Sequence, residues 1–254
     1  MSTTPTTASL IDLAARGQLP LHQYMDRATI DWITTNRPGL QPSPQPALRP
    51  IAQYLLRRTG LPRDWMAEPR LYDSIHGVRH AMRTAALAAI LAEANGLDDA
   101  DTTTAIVAAA VHDCQRHHDK DDRGHGERAA IWLAANADTV WGRFDLTATP
   151  RRVTRAATAI RLHDVPYGAF SPDDQADYLR SQIICDVVKA ADALDRYRLP
   201  KTRWWPNAQH VKELAFDTFR SLAFDLVSIS EKAHLAGAHS PAAVLYALAE
   251  KELA

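Results

Sequence analysis

Two cysteines, Cys114 and Cys185, are all that 254 residues contain. That is too few for a disulfide framework and leaves no Cys-rich tetrahedral zinc set, so a reducing compartment suits the chain. Charge of one sign is missing as well. Lys and Arg number 29 against 30 Asp and Glu, a formal net charge of -1. That balance argues against a surface that coats a nucleic-acid polymer, although local arginine clusters can still line a pocket for a small anion. Long apolar runs are absent too. The longest, Ala85 to Ala92 and Ala105 to Val111, fall well short of the roughly eighteen residues a spanning helix needs. The opening MSTTPTTASLIDLAARGQLP has neither a basic n-region nor an apolar h-region, so no signal peptide is expected and the chain is placed in the cytosol. Strand-like alternation is scarce, and no repeat of about twenty to fifty residues is visible.

What is present is the composition of a soluble globular protein, 46% apolar and 23% charged, in a chain long enough to bury about 70 to 75% of its unfolded surface. Alanine is abundant and nearly every segment has an apolar period near 3.6, which predicts an all-α fold. Segments 8 to 17 and 21 to 35 have helical spacing. NRPGLQPSPQPALRP follows, with five prolines in fifteen residues, and reads as an extended connector. A boundary is therefore set at residue 50, with 1–50 as a helical segment plus connector and 51–254 as the main helical domain. Helices are expected over 50–59, 75–95, 99–113, 126–136, 150–164, 173–197, 207–229 and 241–253. Thr149-Pro150 and Ser240-Pro241 look like caps followed by proline at the first helical position, and Ser171-Pro172-Asp173-Asp174 adds carboxylates to a first turn.

AAVHDCQRHHDKDDRGHGERAA, residues 109 to 130, gathers four of the eleven histidines at the end of the most apolar segment. Helical periodicity says where the candidate ligands point. His80 precedes Leu87 by seven and Leu91 by eleven residues, sharing their inward stripe, with His76 one turn earlier on the same side. His163 follows Ile160 by three and Ala156 by seven. Asp192 follows Val188 by four and Cys185 by seven, whereas Asp186 sits about 120° round the helix. The helix of Ala105 to Val111, apolar all round, ends in His112-Asp113. A buried carboxylate is costly unless paired, and a buried imidazole needs both nitrogens satisfied; a divalent cation answers both needs. Lys189 borders the stripe of Asp192, and its amine either reaches the site or, as is expected, extends back to water.

These residues resemble the HD superfamily of metal-dependent phosphohydrolases, whose pattern is an early His, a His-Asp pair closing a buried helix, and a late Asp in a phrase such as ADxLD. Here they are His80, His112-Asp113 and the Asp192 of AADALD, spanning about residues 75 to 197. GHGERAA and AIRLHD place His125 and His163 where dinuclear members supply a second metal. A bacterial subfamily with a phrase like HGxxHW is also similar, although Ala81 stands where that phrase has an aromatic. The resemblance implies an HD-like helical bundle over 51–254, flanked by extra N- and C-terminal helices. It implies His80, His112, Asp113 and Asp192 at a first metal, Asp113 as the bridge, and His125 with His163 at a second. Such a nitrogen-rich set suits one or two ions of Mn, Fe, Co or Ni better than Mg.

The expected chemistry is hydrolysis of a small phosphate ester, a nucleotide or similar metabolite, by a metal-activated water. HDCQR resembles the family's HDxGK, so Arg116 takes the place of a basic residue that contacts phosphate; Lys120 and Arg128 stand near in sequence, and His76 is assigned to substrate contact. Asp195 is read as orienting a ligand histidine, Cys114 as packing, and Asp121 with Asp122 as loop solvation. RYRLPKTRWWPN joins Arg196, Arg198, Lys201 and Arg203 to Trp204 and Trp205. It reads as a connecting loop that packs its tryptophans inward, or as a platform that stacks a base and holds phosphate. Leu214, Phe216, Phe219, Leu222, Phe224 and Leu226 are expected to form core or a homodimer surface. Two other classes use the same ligands: a di-iron oxygenase of the HD type, and a nonenzymatic metal- or nucleotide-binding regulator.

Overall fold

A computed structural model describes residues 8–213 and 215–254; the expectation for Leu214 lies outside them. Eleven α-helices and seven short 3₁₀ turns make up its regular structure, with no strand among the described residues. The fold is all-α. In chain order the helices are α1 (Leu10–Ala15), α2 (Arg27–Thr35), α3 (Pro50–Leu56), α4 (Val78–Ala94), α5 (Asp99–Val111) and α6 (His125–Ala135). Then follow α7 (Ala137–Arg143), α8 (Pro150–Leu162), α9 (Pro172–Leu194), α10 (Arg220–Leu235) and α11 (Ser240–Glu250). None is long and apolar enough to cross a membrane.

Helices α4, α5, α8 and α9 form the heart of the bundle, with α6 against α8 and α10 and α11 against α4. Fifteen of the seventeen residues of α4 are buried, most of them alanine or leucine. Small side chains let neighbouring backbones approach, and α5, buried from Thr102 to Val111, fits the all-round apolar pattern that placed it in the centre. Local signals set several starts. Asp26 and Asp98 cap α2 and α5, Thr149 caps α8 ahead of Pro150, and Ser171 with Asp174 makes a reciprocal capping box on α9.

Residues 36–49 hold no helix, as the prolines require. The connector nevertheless leaves its helix docked, since Met25, Ile30 and Ile33 enter the same core cluster as α4 and α5. The 207–229 expectation is displaced. Residues 208–210 and 217–219 form single 3₁₀ turns, and the helix runs from Arg220 to Leu235. Pro206 and Asn207 break the chain there and the apolar pattern resumes only later. Helix α7 had no expectation. Ser240 does not cap α11: its hydroxyl donates to Asp73 at 2.6 Å and accepts from Arg79 at 2.7 Å.

Candidate metal centre

Three helix ends and two further helices meet at the centre. His112 and Asp113 follow α5 directly, His163 follows α8, His125 opens α6, and His80 and Asp192 project from α4 and α9. A ligand just past a helix end keeps the aim of the last turn while leaving its neighbours free to turn away.

Each of the four imidazoles has Nδ1 against an acceptor. His80 faces Asp195 Oδ2 at 2.8 Å, His112 the Ala109 carbonyl at 2.7 Å, His125 the Asp122 carbonyl at 2.7 Å and His163 the Ile160 carbonyl at 2.6 Å. Nδ1 therefore carries the proton and Nε2 the lone pair. The Nε2 atoms meet in pairs, His80 with His112 at 3.1 Å and His125 with His163 at 3.0 Å. Two lone pairs that close repel unless a cation lies with them. Carboxylates complete both pairs. Asp113 turns Oδ2 toward His80 and His112 at 3.6 and 3.7 Å, and Oδ1 toward His125 and His163 at 3.1 and 3.5 Å. Asp192 Oδ1 joins the first pair, 3.3 Å from His80 and 3.9 Å from His112. Two overlapping trios, His80-His112-Asp113 and Asp113-His125-His163, thus have the spacing of metal ligands.

The electrostatics agree. Burial pushes the His112 imidazole down to about 3, so it stays neutral and able to ligate. Burial opposes ionisation of Asp113, yet Arg116, His112 and His125 hold it well below the usual carboxylate range. For Asp192 the same penalty is overcome by His80, His112 and Arg198. His163 is raised: burial lowers it, and the bond and charge of Asp113 outweigh that. Concentrated negative charge around nitrogen lone pairs is the environment a divalent cation fits.

A cavity of about 1160 Å³ opens over the centre. Asp113, His125, His163, Asp192, His76, Arg116 and Lys120 all line it. Arg116 is buried, with Nη1 3.1 Å from His125 Nε2 and its other nitrogens donating to the His118 and Lys120 carbonyls. His76 lies in the turn before α4, not on the helix. Its Nδ1 bonds Asp119 Oδ1 at 2.9 Å, and burial, reinforced by Arg116, pushes its pKa down to about 3.

Arg128 is a correction. It does not line the cavity; it grips both oxygens of Asp122 at 2.8 and 2.7 Å and donates to the Gln115 and Arg123 carbonyls. Its place near the cluster in sequence put it on the outer side of α6, where it ties down the loop between His112 and His125. Asp122 is consequently structural too, also accepting from the His117 amide. Lys189 does not reach water. Its buried amine donates to the Leu162, His163 and Val165 carbonyls at 2.6 to 2.9 Å, capping α8 behind its ligand. Burial, opposed by Asp164 and Asp192, lowers it to about 8.

Asp195 holds His80, as read from sequence. Asp119 and Asp164 were missed. Asp164 lines the cavity with Oδ2 3.4 Å from His125 Nδ1, and its signal was visible: His163-Asp164 closes α8 as His112-Asp113 closes α5. Asp119 had no local signal, because His76 and Gln23 reach it from 43 and 96 residues away. No protein-family model, no curated protein and no solved structure matches the chain.

Proposed function

We propose that the protein is a metal-dependent phosphohydrolase of the HD type, acting on a small phosphate ester such as a nucleotide, in the cytosol. The observation that carries this reading is the division of Asp113, one oxygen to each imidazole pair. His80, His112, Asp113 and Asp192 would hold one ion, and Asp113, His125 and His163 a second. The mixed nitrogen and oxygen set favours Mn, Fe, Co or Ni. Bound there, a metal pair lowers the pKa of a water toward about 7 and neutralises charge on phosphate oxygens.

The chain's own residues do the rest. Arg116, its Nε and Nη2 held by the His118 and Lys120 carbonyls, reaches an oxygen placed beside His125 through Nη1; Lys120, which makes no side-chain hydrogen bond or ion pair among the described residues, lines the cavity and adds a second positive charge. Neutral His76, its Nδ1 proton fixed on Asp119, presents Nε2 as an acceptor, which suits a substrate hydroxyl and not a proton donor role. Hydrolysis breaks the bond from phosphorus to the leaving-group oxygen, makes one from phosphorus to the water oxygen, and passes a water proton to the leaving group. The cations around the cavity favour this over the oxygenase reading, and turnover distinguishes it from the regulator reading.

Metal analysis of the purified protein, then phosphate release across a panel of phosphorylated metabolites with Mn, tests the reading. Asp113→Ala and His112→Ala are expected to lose both metal and at least about 10³-fold in turnover, the scale on which metal and electrostatic stabilisation act. Full turnover in both would overturn it. Oxygen uptake with a mixed-valence iron signal would point to the oxygenase instead.

A further inference from the structure

The cavity is far larger than a phosphoryl group needs, and its walls differ in charge. The lining supplied by residues 113 to 192 mixes the carboxylates Asp113, Asp119, Asp121, Asp164 and Asp192 with the cations Arg116, Lys120 and Lys189. The lining supplied by residues 193 to 211 includes Arg196, Arg198, Lys201 and Arg203 and not one carboxylate.

These four cations are not equally engaged. Arg198 is spent on the structure, donating to the Ile75 carbonyl at 2.7 Å and standing 3.5 Å from Asp195. Arg196 is aimed by one nitrogen only, Nε to the Trp204 carbonyl at 2.8 Å, which leaves its terminal amino groups for a ligand. Lys201 and Arg203 make no side-chain hydrogen bond or ion pair among the described residues. They lie 4.8 and 5.8 Å from the centre of the half-buried Trp204 ring. The tryptophans divide the labour. Trp205 is buried, bonds the Leu199 carbonyl through Nε1 at 2.8 Å and meets Trp32 and Tyr197 edge-on. It pins the loop; both tryptophans line the cavity, with Trp204 the more exposed. Three cations held on a pinned loop with no acid between them repel one another, and an anion relieves that cost.

We propose that this loop is a second anion site, and that the substrate carries a second negatively charged group, phosphate or carboxylate, on the portion that leaves. The inference rests on the phosphohydrolase reading only in taking the first anion to be the phosphoryl group. The second group is held and not cleaved; it departs with the alcohol product.

Calorimetric titration of the Mn-loaded protein with adenosine 5′-monophosphate, adenosine 3′,5′-bisphosphate and adenylosuccinate tests it, with phosphate release followed in parallel. At least one ligand with two separate anionic groups is expected to bind about tenfold or more tightly than the monophosphate, the effect of one good charge-assisted contact. The bisphosphate and the succinyl compound tell phosphate from carboxylate. In a Lys201→Ala/Arg203→Ala double variant that ratio is expected to collapse below about threefold, and in Lys201→Arg to persist; helical circular dichroism confirms the fold. A wild-type ratio below threefold for both ligands, or a ratio the double variant keeps, overturns the proposal. A ratio present without phosphate release from any ligand supports the anion site and removes the phosphohydrolase reading. Release from the monophosphate without a ratio does the reverse.

Discussion

Asp195 Oδ2 accepts from both His80 and Arg83 Nη2, and its Oδ1 accepts from Arg83 Nε, 2.6 Å away. Arg83 Nη1 continues to Glu231 Oε1 at 2.7 Å, and Glu231 Oε2 accepts from Arg79 at 2.9 Å. All of these side chains are buried, so removing one member strands the others' charge at a cost of about 3 to 5 kcal/mol. Glu231→Gln is expected to lose about that much in denaturant unfolding at pH 7. The pH dependence has a definite sign. Burial opposes ionisation of Glu231, but Arg79 and Arg83 hold its folded pKa below the ordinary 4.5. Its stabilisation is therefore complete above 4.5 and disappears as pH falls through the folded value. The gap between wild type and Glu231→Gln should narrow below pH 4.5; a constant gap would show that the charge of Glu231 is not what stabilises. At this scale Asp195 was legible because it sits beside Asp192 on one helix face. Arg79, Arg83 and Glu231 were not, since their partners lie 112 to 152 residues away.

Helices α6 and α8 hold the second imidazole pair, and their separation hinges on Gly126. A Cβ there would lie 2.7 Å from the Ile160 carbonyl and 3.1 Å from His163 Nδ1 and Asp164 Oδ1. A backbone oxygen cannot rotate away, so the helices must part. Gly126→Ala is expected to cost about 1 to 3 kcal/mol, as overpacking does, and to pull His125 from His163 without touching His80 or His112. Metal titration should then show the second equivalent weakened and the first retained. Equal loss of both equivalents, or of neither, would refute that division. Helix existence and inward faces were legible for α4, α5, α8 and α9, whose apolar periods are long. The start of α10 was not, because 3₁₀ turns at 208–210 and 217–219 interrupt the helical repeat while Phe216 and Phe219 stay buried. Lys189 was misread for a related reason: nothing local says that the carbonyls ending α8 lie within its reach.

The molecule closes over its cavity with a segment distant in sequence. Residues 18–25 run along the loop that follows His112: the Asp119 amide donates to the Leu21 carbonyl at 2.7 Å, the Gln23 amide to Asp119 Oδ2 at 2.7 Å, and the Ile75 amide to the Gln23 carbonyl at 2.9 Å. Asp119 also accepts from Ser74 Oγ at 2.8 Å and bonds His76. Removing this carboxylate leaves several donors unpaired at about 1 to 3 kcal/mol each. Asp119→Ala is expected to raise hydrogen exchange at the Gln23 amide and to weaken substrate binding through a released His76, with metal content unchanged. Unaltered exchange at Gln23 would mean the strap is held otherwise.

From the order of residues alone came the helical class, the inward turn of His80, His163 and Asp192, and the His-Asp pair that ends the buried helix. These follow from a side-chain period of 3.6 and from caps, which act within a few residues. Only the packed molecule decided that Asp113 divides its oxygens between two imidazole pairs, that Arg128 serves Asp122, and that Trp205 pins the loop whose Trp204 meets the cavity. Those outcomes depend on how whole helices approach one another, and burial is shared among residues far apart in the chain.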